Sequence, residues 1–245
     1  MSAARRFHAT AAVAGAGLAL LLLLPSSATA QRRYHGAQYR YWDFSDGNDL
    51  RDVLYYAVPG DWHIQLEYWD FILGDDQFRP EVGVHLRDQR RSVYTVQYRL
   101  EYHLDSPDFT QHRFWLGTDQ VLSDHLVGRV EVGTIVHQSA TPDDVAMAGF
   151  DYYWGSWNFA SAAAVYDSRD GGLWTYPMRV RLANEANDWL QFTVAPAEER
   201  TLGWAVDAKK SWLRLGLEAN DRYDFTNRNN LIFTVGFELP LGRTE

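Results

Sequence analysis

The segment SVYTVQYRLEYHL, residues 92–104, carries two interleaved chemistries. Tyr94, Val96, Tyr98, Leu100, Tyr102 and Leu104 occupy every second position, with Thr95, Gln97, Arg99, Glu101 and His103 between them. Successive side chains of a strand point to opposite faces, so a strand here sets an aromatic and aliphatic stripe against an ionisable one. A helix would scatter both sets around its circumference. A chain built from many such strands must therefore give its two faces different surroundings.

The alternation recurs along the chain. Val82, Val84 and Leu86 interleave with Glu81, Gly83, His85 and Arg87. Trp174, Tyr176, Met178, Val180 and Leu182 oppose Thr175, Arg179 and Arg181, and Leu213, Leu215 and Leu217 oppose Arg214, Glu218 and Asn220. Leu231, Phe233, Val235, Phe237 and Leu239 alternate with Thr234, Gly236 and Glu238. Several runs have the roughly 9–11 residues of a tilted membrane strand, above the roughly 5–6 of a globular one. Helical patterns of comparable quality are absent.

Connections alternate too. SDGNDLR, GDDQFR, DSPDF, SATPDD, SRDGG, AEE and YDFTNRN are mostly long, while PGD, QRR, LSD, GS, ANEAND and KKS fall between them and, with one exception, are tight. Long loops at one end and tight turns at the other describe an up-and-down barrel in an outer membrane. The sequence thus predicts an all-β fold, an up-and-down transmembrane antiparallel β-barrel of about fourteen strands with both termini periplasmic. Twelve strands is the alternative, because residues 53–58, 146–154 and 157–167 alternate poorly. Pro177 inside a strand removes a ladder donor and weakens the pattern there.

Residues 1–30 read as a cleaved secretory signal peptide: Arg5 and Arg6 precede the apolar run AAVAGAGLALLLLLP, and Ala28-Thr29-Ala30 supplies the small-residue cleavage pattern. Residues 31–245 then form the barrel, exported across the inner membrane to the outer membrane of a Gram-negative cell. The formal net charge is −9, and the leader holds two Arg and no acid, so the remainder carries −11. With 23 Lys+Arg against 32 Asp+Glu and no basic run, a nucleic-acid partner is not expected. The absence of cysteine excludes disulfides, thiolate metal sites and thiol nucleophiles.

In a barrel, lipid wets the Tyr and Leu stripe and the ionisable stripe points inward. The expected inward set is Gln65, Glu67, Glu81, His85, Arg87, Gln97, Arg99, Glu101, Arg129, Glu131, Arg179, Arg181, Asp207, Arg214, Glu218 and Glu238. Both signs are abundant, which points to cross-strand salt bridges and not to a one-sign selectivity ring. Trp62, Trp154, Trp157, Trp189 and Trp212 lie beside the short turns, as an interfacial girdle requires. A secreted soluble β-sandwich binding protein is the alternative, with those tryptophans in its core. Eight-stranded barrels fill with side chains and sixteen-stranded ones leave a channel, so a narrow small-solute pore and a structural or assembly-related barrel both remain open.

The stretches FDYYWGSWNFASAAAVYDS and TYPMRVRLANEANDWLQFTVA, with the leader and the run of short strands, resemble the YaiO-type outer-membrane β-barrels, a bacterial family of unsettled activity. Thr234, Gly236, Leu239 and Leu241 are similar to the C-terminal signal read by the barrel assembly machinery, though the chain continues as GRTE instead of ending on an aromatic. That resemblance implies the assembly machinery as a partner during insertion.

One constellation suggests chemistry. His137 and Ser139, two residues apart on a strand, share a face, and Asp151 on the next strand could orient the imidazole. The arrangement resembles that of outer-membrane phospholipase A and the lipid A deacylases, and implies a lipid esterase as the enzymatic alternative. Ala140 stands where those families have Asn, the phase of Val130, Val132 and Val136 turns His137 inward, and a hairpin centred near Thr141 would set His137 opposite Val145. No catalytic set is therefore favoured.

Asp46, Asp49, Asp75, Asp76, Asp105, Asp108, Asp143, Asp144, Asp167, Asp170, Asp221 and Asp224 gather at the long-loop end, where outer-membrane lipids and lipopolysaccharide with bridging cations are the expected surroundings. Their main expected role is turn formation through backbone hydrogen bonds. No calcium loop, zinc motif, phosphate loop or GxSxG elbow is present, so no metal or cofactor is predicted, and no protein partner is indicated.

Overall fold

The computed structural model describes residues 34–240 apart from 45–48, 73, 89–90, 139, 155–157, 170–171, 185, 187, 197–201 and 224–227. The leader reading and Ser139 lie outside the described residues. The segments are β1 (Tyr34–Phe44), β2 (Leu50–Val58), β3 (Trp62–Phe71), β4 (Gln77–Arg87), β5 (Ser92–His103), β6 (Gln111–Val121), β7 (Leu126–His137) and β8 (Asp143–Trp154). They continue as β9 (Asn158–Asp167), β10 (Leu173–Thr175), β11 (Met178–Ala183), β12 (Trp189–Pro196), β13 (Leu202–Lys210), β14 (Leu213–Tyr223) and β15 (Arg228–Pro240).

Every segment pairs antiparallel with its neighbours, and β1 closes on β15 from Tyr34↔Pro240 to Phe44↔Asn230. Segments β10 and β11 are halves of one strand, since both lie in the same register against β9, Thr175 opposite Val165 and Met178 opposite Ala162. The result is a closed up-and-down barrel of fourteen strands. Closure pairs the wall strands on both sides, β10 alone being held only by β9 among the described residues, and so removes the open edges a flat sheet would leave. The poorly alternating stretches form β2, β8 and β9 in full register, so the twelve-strand alternative is not adopted.

Pro177 acts as its chemistry requires. Its carbonyl accepts from Ala163 N–H at 3.0 Å, but it has no N–H to return, and the strand is interrupted there without losing register.

The opening segment shows how the faces divide. In β5, Glu101 is 1% exposed while Tyr94 and Tyr102 on the other face are exposed. The same split runs round the wall: Leu116, Val130, Val132, Phe150, Phe192, Leu215 and Phe233 all face outward and are exposed. Register transmits the phase from strand to strand, since Leu116 pairs with Val132 and Gly117 with Glu131. Inner glycines make room for inner rings. A Cβ on Gly83 would lie 2.0 Å from the His63 imidazole, and one on Gly133 would lie 2.6 Å from the Trp115 indole.

The tryptophan girdle needs one correction. Trp212 stands 56% exposed at its turn, and Trp62 and Trp154 lie on the outward face beside theirs, but Trp189 is buried on the inner face, two positions from Gln191. Its ring lies against the guanidinium groups of Arg181 and Arg214 on the inner face. Trp157 lies outside the described residues.

At the long-loop end, aspartates tie the chain as turn chemistry predicts. Asp105 Oδ2 accepts from the N–H groups of Asp75 and Asp76 at 3.1 and 3.3 Å, Asp49 accepts from Phe44 N–H at 3.2 Å and from the Tyr41 hydroxyl at 2.5 Å, and Asp76 accepts from the Tyr68 hydroxyl at 2.6 Å. A short 3-10 turn, Pro107–Phe109, follows β5.

At the short-turn end, Asp188 joins two turns. Its carboxylate accepts from Lys210 Nζ at 2.8 Å and from Ser211 N–H at 2.6 Å, where Ser211 adopts the left-handed φ of 55°. The Lys210 hydrogen bond, then the Ser211 N–H, hold the Asp188 carboxyl down from 3.8 to about 2. Because the folded value is depressed, this contribution to stability is full above the unfolded value of 3.8 and is lost as pH falls through about 2. Heat-modifiable gel migration of the folded barrel, scanned between those values, is expected to lose part of its stability on acidification. Asp188→Asn is expected to flatten that part of the profile, and an unchanged profile would remove Asp188 from this role.

Candidate functional site

The inner wall is where the barrel's ionisable chemistry collects. Along β1–β6 it forms a chain of charge pairs passing from strand to strand. Arg40 meets both Asp52, which is fully buried, and Glu67. Arg79 and Arg113 reach the same Glu101 oxygen at 3.5 and 2.8 Å, and Arg99 reaches Glu81 at 2.5 Å and Glu101 at 4.0 Å. His63 meets the other Glu81 oxygen at 3.1 Å, and Arg79 also lies 3.4 Å from the centre of the Trp69 ring. Buried charges persist only where partners offset desolvation, and shared carboxylates provide that here.

A second group sits on β6–β8. Arg129 reaches Asp119 at 2.8 Å, Asp151 at 3.1 Å and Glu131 at 4.0 Å, and Glu131 is 40% exposed although it faces inward. The third group, on β11–β15, contains Arg179, Arg181, Asp207, Lys209, Arg214 and Glu238. Lys209 bonds Glu238 at 2.5 Å, Arg214 reaches Asp207 at 3.4 Å, and Arg181 donates to Gln191 Oε1 at 2.9 and 2.7 Å. Arg179 is exposed on this inner face.

The remaining expected inward residues take their places by register. Gln65 pairs with Glu81, Gln97 with Trp115, and Glu218 with Ile232, while His85 bonds the Thr95 hydroxyl at 3.0 Å. Arg87, two-fifths exposed, lies 3.8 Å from Asp61 beside the first short turn.

Sequence reasoning missed Arg40, Asp52, Arg79, Arg113, Asp119 and Lys209. A signal was present for several: Arg79 is in phase with Glu81, and Arg113 and Asp119 share a parity within QHRFWLGTDQV. It also missed an apolar cluster on the inner face at the long-loop end, where Trp42, Phe44, Leu50, Trp69 and Ile232 bury one another, with Trp42 and Trp69 centroids 5.4 Å apart. Parity fails there because both faces of β1 and β2 carry aromatic or aliphatic residues.

Neither a protein-family model nor a curated protein sequence matches the chain. Solved structures do match by shape. The KdgM porin aligns with a TM-score of 0.55 at 8% identity, over 82% of this chain and 98% of that one. The Acinetobacter baumannii outer membrane protein Omp33 aligns with a TM-score of 0.55 at 10% identity, over 85% and 98%. The CymD monoaromatic hydrocarbon channel gives 0.54 at 6% identity, over 89% and 90%. The chain shares its fold with outer-membrane porins. At such identities the likeness is of fold, and residue roles rest on this chain's own geometry.

His137 and Asp151 are placed apart, and Ser139 lies outside the described residues. The β7–β8 hairpin pairs Ile135 with Asp143 and Gly133 with Val145, so His137 does not face Val145 as the expected hairpin centre implied. The hairpin centre falls two residues earlier, and His137 Nε2 meets Asp143 Oδ2 at 2.7 Å. Asp151 pairs with Val127 near the opposite end of the strand and bonds Arg129, so the structure does not bring it to His137. Among the described residues, no group of three or more His, Asp or Glu is arranged to hold a metal ion.

Proposed function

We propose that this chain is an exported outer-membrane barrel, residues 31–245 after removal of the leader, that serves as a narrow pore for small solutes. The observation that carries this reading is the exposure of charged residues on the inner face: Arg179 and Glu131 are accessible there, and an accessible charge at that depth requires water inside the barrel. The outward face of exposed Leu, Val, Phe and Tyr suits acyl chains, with lipopolysaccharide beside the aspartate-rich loops and the barrel assembly machinery acting during insertion. The fold shared with porins supports the same reading. The likeness to YaiO-type barrels is carried by sequence pattern and leaves a structural or assembly role as the second reading.

Conductance across a planar bilayer tests the proposal. Refolded protein is expected to insert in discrete, salt-dependent steps of small unit conductance. A protein that shows heat-modifiable migration, and so is folded, but passes no current would overturn the pore and favour a plugged structural barrel.

A further inference from the structure

The inner-wall arginines divide by the company they keep. Arg40, Arg79, Arg99, Arg113 and Arg129 each meet at least one carboxylate. Arg179 and Arg181 meet none among the described residues, although both face the interior from β11. Arg181 spends its Nε and one terminal nitrogen on the neutral oxygen of Gln191. Its guanidinium lies 4.5 Å from the centre of the Trp189 ring, and that of Arg214 lies 5.5 Å from the same centre. Arg214 has Asp207 at 3.4 Å, and its buried Nε has no hydrogen-bond acceptor among the described residues. Lys209, the neighbouring cation, is already neutralised by Glu238.

Two cations on one indole are held by the ring's quadrupole, which supplies attraction without a counter-charge. A planar guanidinium fork with free donors is the group best matched to a carboxylate or phosphate. Arg179 stands two residues from Arg181 on the same face, a separation of about 6.6 Å. It borders a recess of about 70 Å³ between β8, β9 and β11, lined also by Asp151 and the Arg129 that neutralises it, where Gly149, Ser161 and Ala163 leave room beside Pro177.

We propose that Arg181 and Arg214, gathered on Trp189, form a binding site for an oxyanion-bearing solute, and that Arg179 takes a second anionic group of the same molecule. The substrate class is therefore a small solute with carboxylate or phosphate groups, dianionic ones being held at two points. This rests on the pore reading for its biological use, but binding itself does not require conduction.

Calorimetric titration of refolded barrel in detergent, with succinate, inorganic phosphate and glucose as probes, tests it. Succinate and phosphate are expected to bind and glucose is not. The double variant Arg181→Gln/Arg214→Gln is expected to weaken both anions by about tenfold or more, as loss of charge-assisted bonds implies. Arg179→Gln is expected to weaken succinate more than phosphate, and Arg51→Gln, an outward residue paired with Asp70, to change neither. Wild-type protein that binds neither anion, or a folded double variant that binds as wild type does, would overturn the site. Should the double variant fail to fold, Arg181→Lys decides: it keeps the charge and loses the fork, so affinity must fall, and unchanged affinity contradicts the proposal. A barrel that binds succinate yet passes no current keeps this site and removes the pore.

Discussion

Replacing Glu101 with leucine is expected to cost the barrel about 3–5 kcal/mol, the range for removing one partner from a buried ion pair. Glu101 is 1% exposed and serves Arg79 and Arg113 through one oxygen, with Arg99 at 4.0 Å from the other. Leucine matches its volume closely enough that little of the loss is packing. The cost comes from guanidinium groups of Arg79 and Arg113 that stay desolvated while this shared carboxylate is gone. By contrast, Arg51→Ala breaks an outward pair with Asp70 whose members are both about half exposed, and exposed pairs contribute roughly 0–1 kcal/mol. Urea unfolding of the refolded barrel, followed by tryptophan emission, compares the two directly. Equal losses would mean that the inner pairs are as hydrated as the outer one.

The second large effect belongs to the other face. Leu116→Arg puts a guanidinium on an outward position that is 57% exposed and lies in the middle of β6. At mid-depth in a bilayer an arginine costs roughly 2–4 kcal/mol, whereas an exposed position facing water tolerates it almost freely. Stability of the variant in lipid vesicles should therefore fall by that amount, and its midpoint in a purely aqueous setting is not a substitute for the measurement. Loss of less than about 0.5 kcal/mol, the usual limit for surface exchanges, would say that Leu116 meets water.

Much of this architecture was legible because a barrel strand writes its two environments into alternate residues. Tyr94 and Tyr102 against Glu101 in β5, or Val130 and Val132 against Arg129 and Glu131 in β7, fix face and register together. The alternation of long and tight connections then gave the strand count, even for β8 and β9, whose own parity is blurred by Gly149 and the run Ala162-Ala163-Ala164. What stayed hidden was tertiary. Trp189 lies beside a short turn like the girdle tryptophans, and only the positions of Arg181 and Arg214 show why it turns inward. The cluster of Trp42, Leu50 and Trp69 is likewise invisible to parity, because apolar residues there occupy the inner face as well as the outer. Partner choice is also a property of the fold, since Glu101 joins arginines from β4 and β6, and Asp143, which bonds His137, owes its place to a hairpin centre that pattern alone set two residues too far along.

The face assignment underlies the inner charge network, the pore and the anion site, and a chain with no cysteine makes it directly measurable. Single Leu116→Cys and Glu131→Cys proteins, one register step apart on β6 and β7, carry nitroxide labels into refolded vesicles. Collision with oxygen, which concentrates in hydrocarbon, is expected to dominate at position 116, and collision with a water-soluble nickel chelate at position 131. Chelate access at 116 together with hydrocarbon-like access at 131 would turn the barrel inside out and contradict the account.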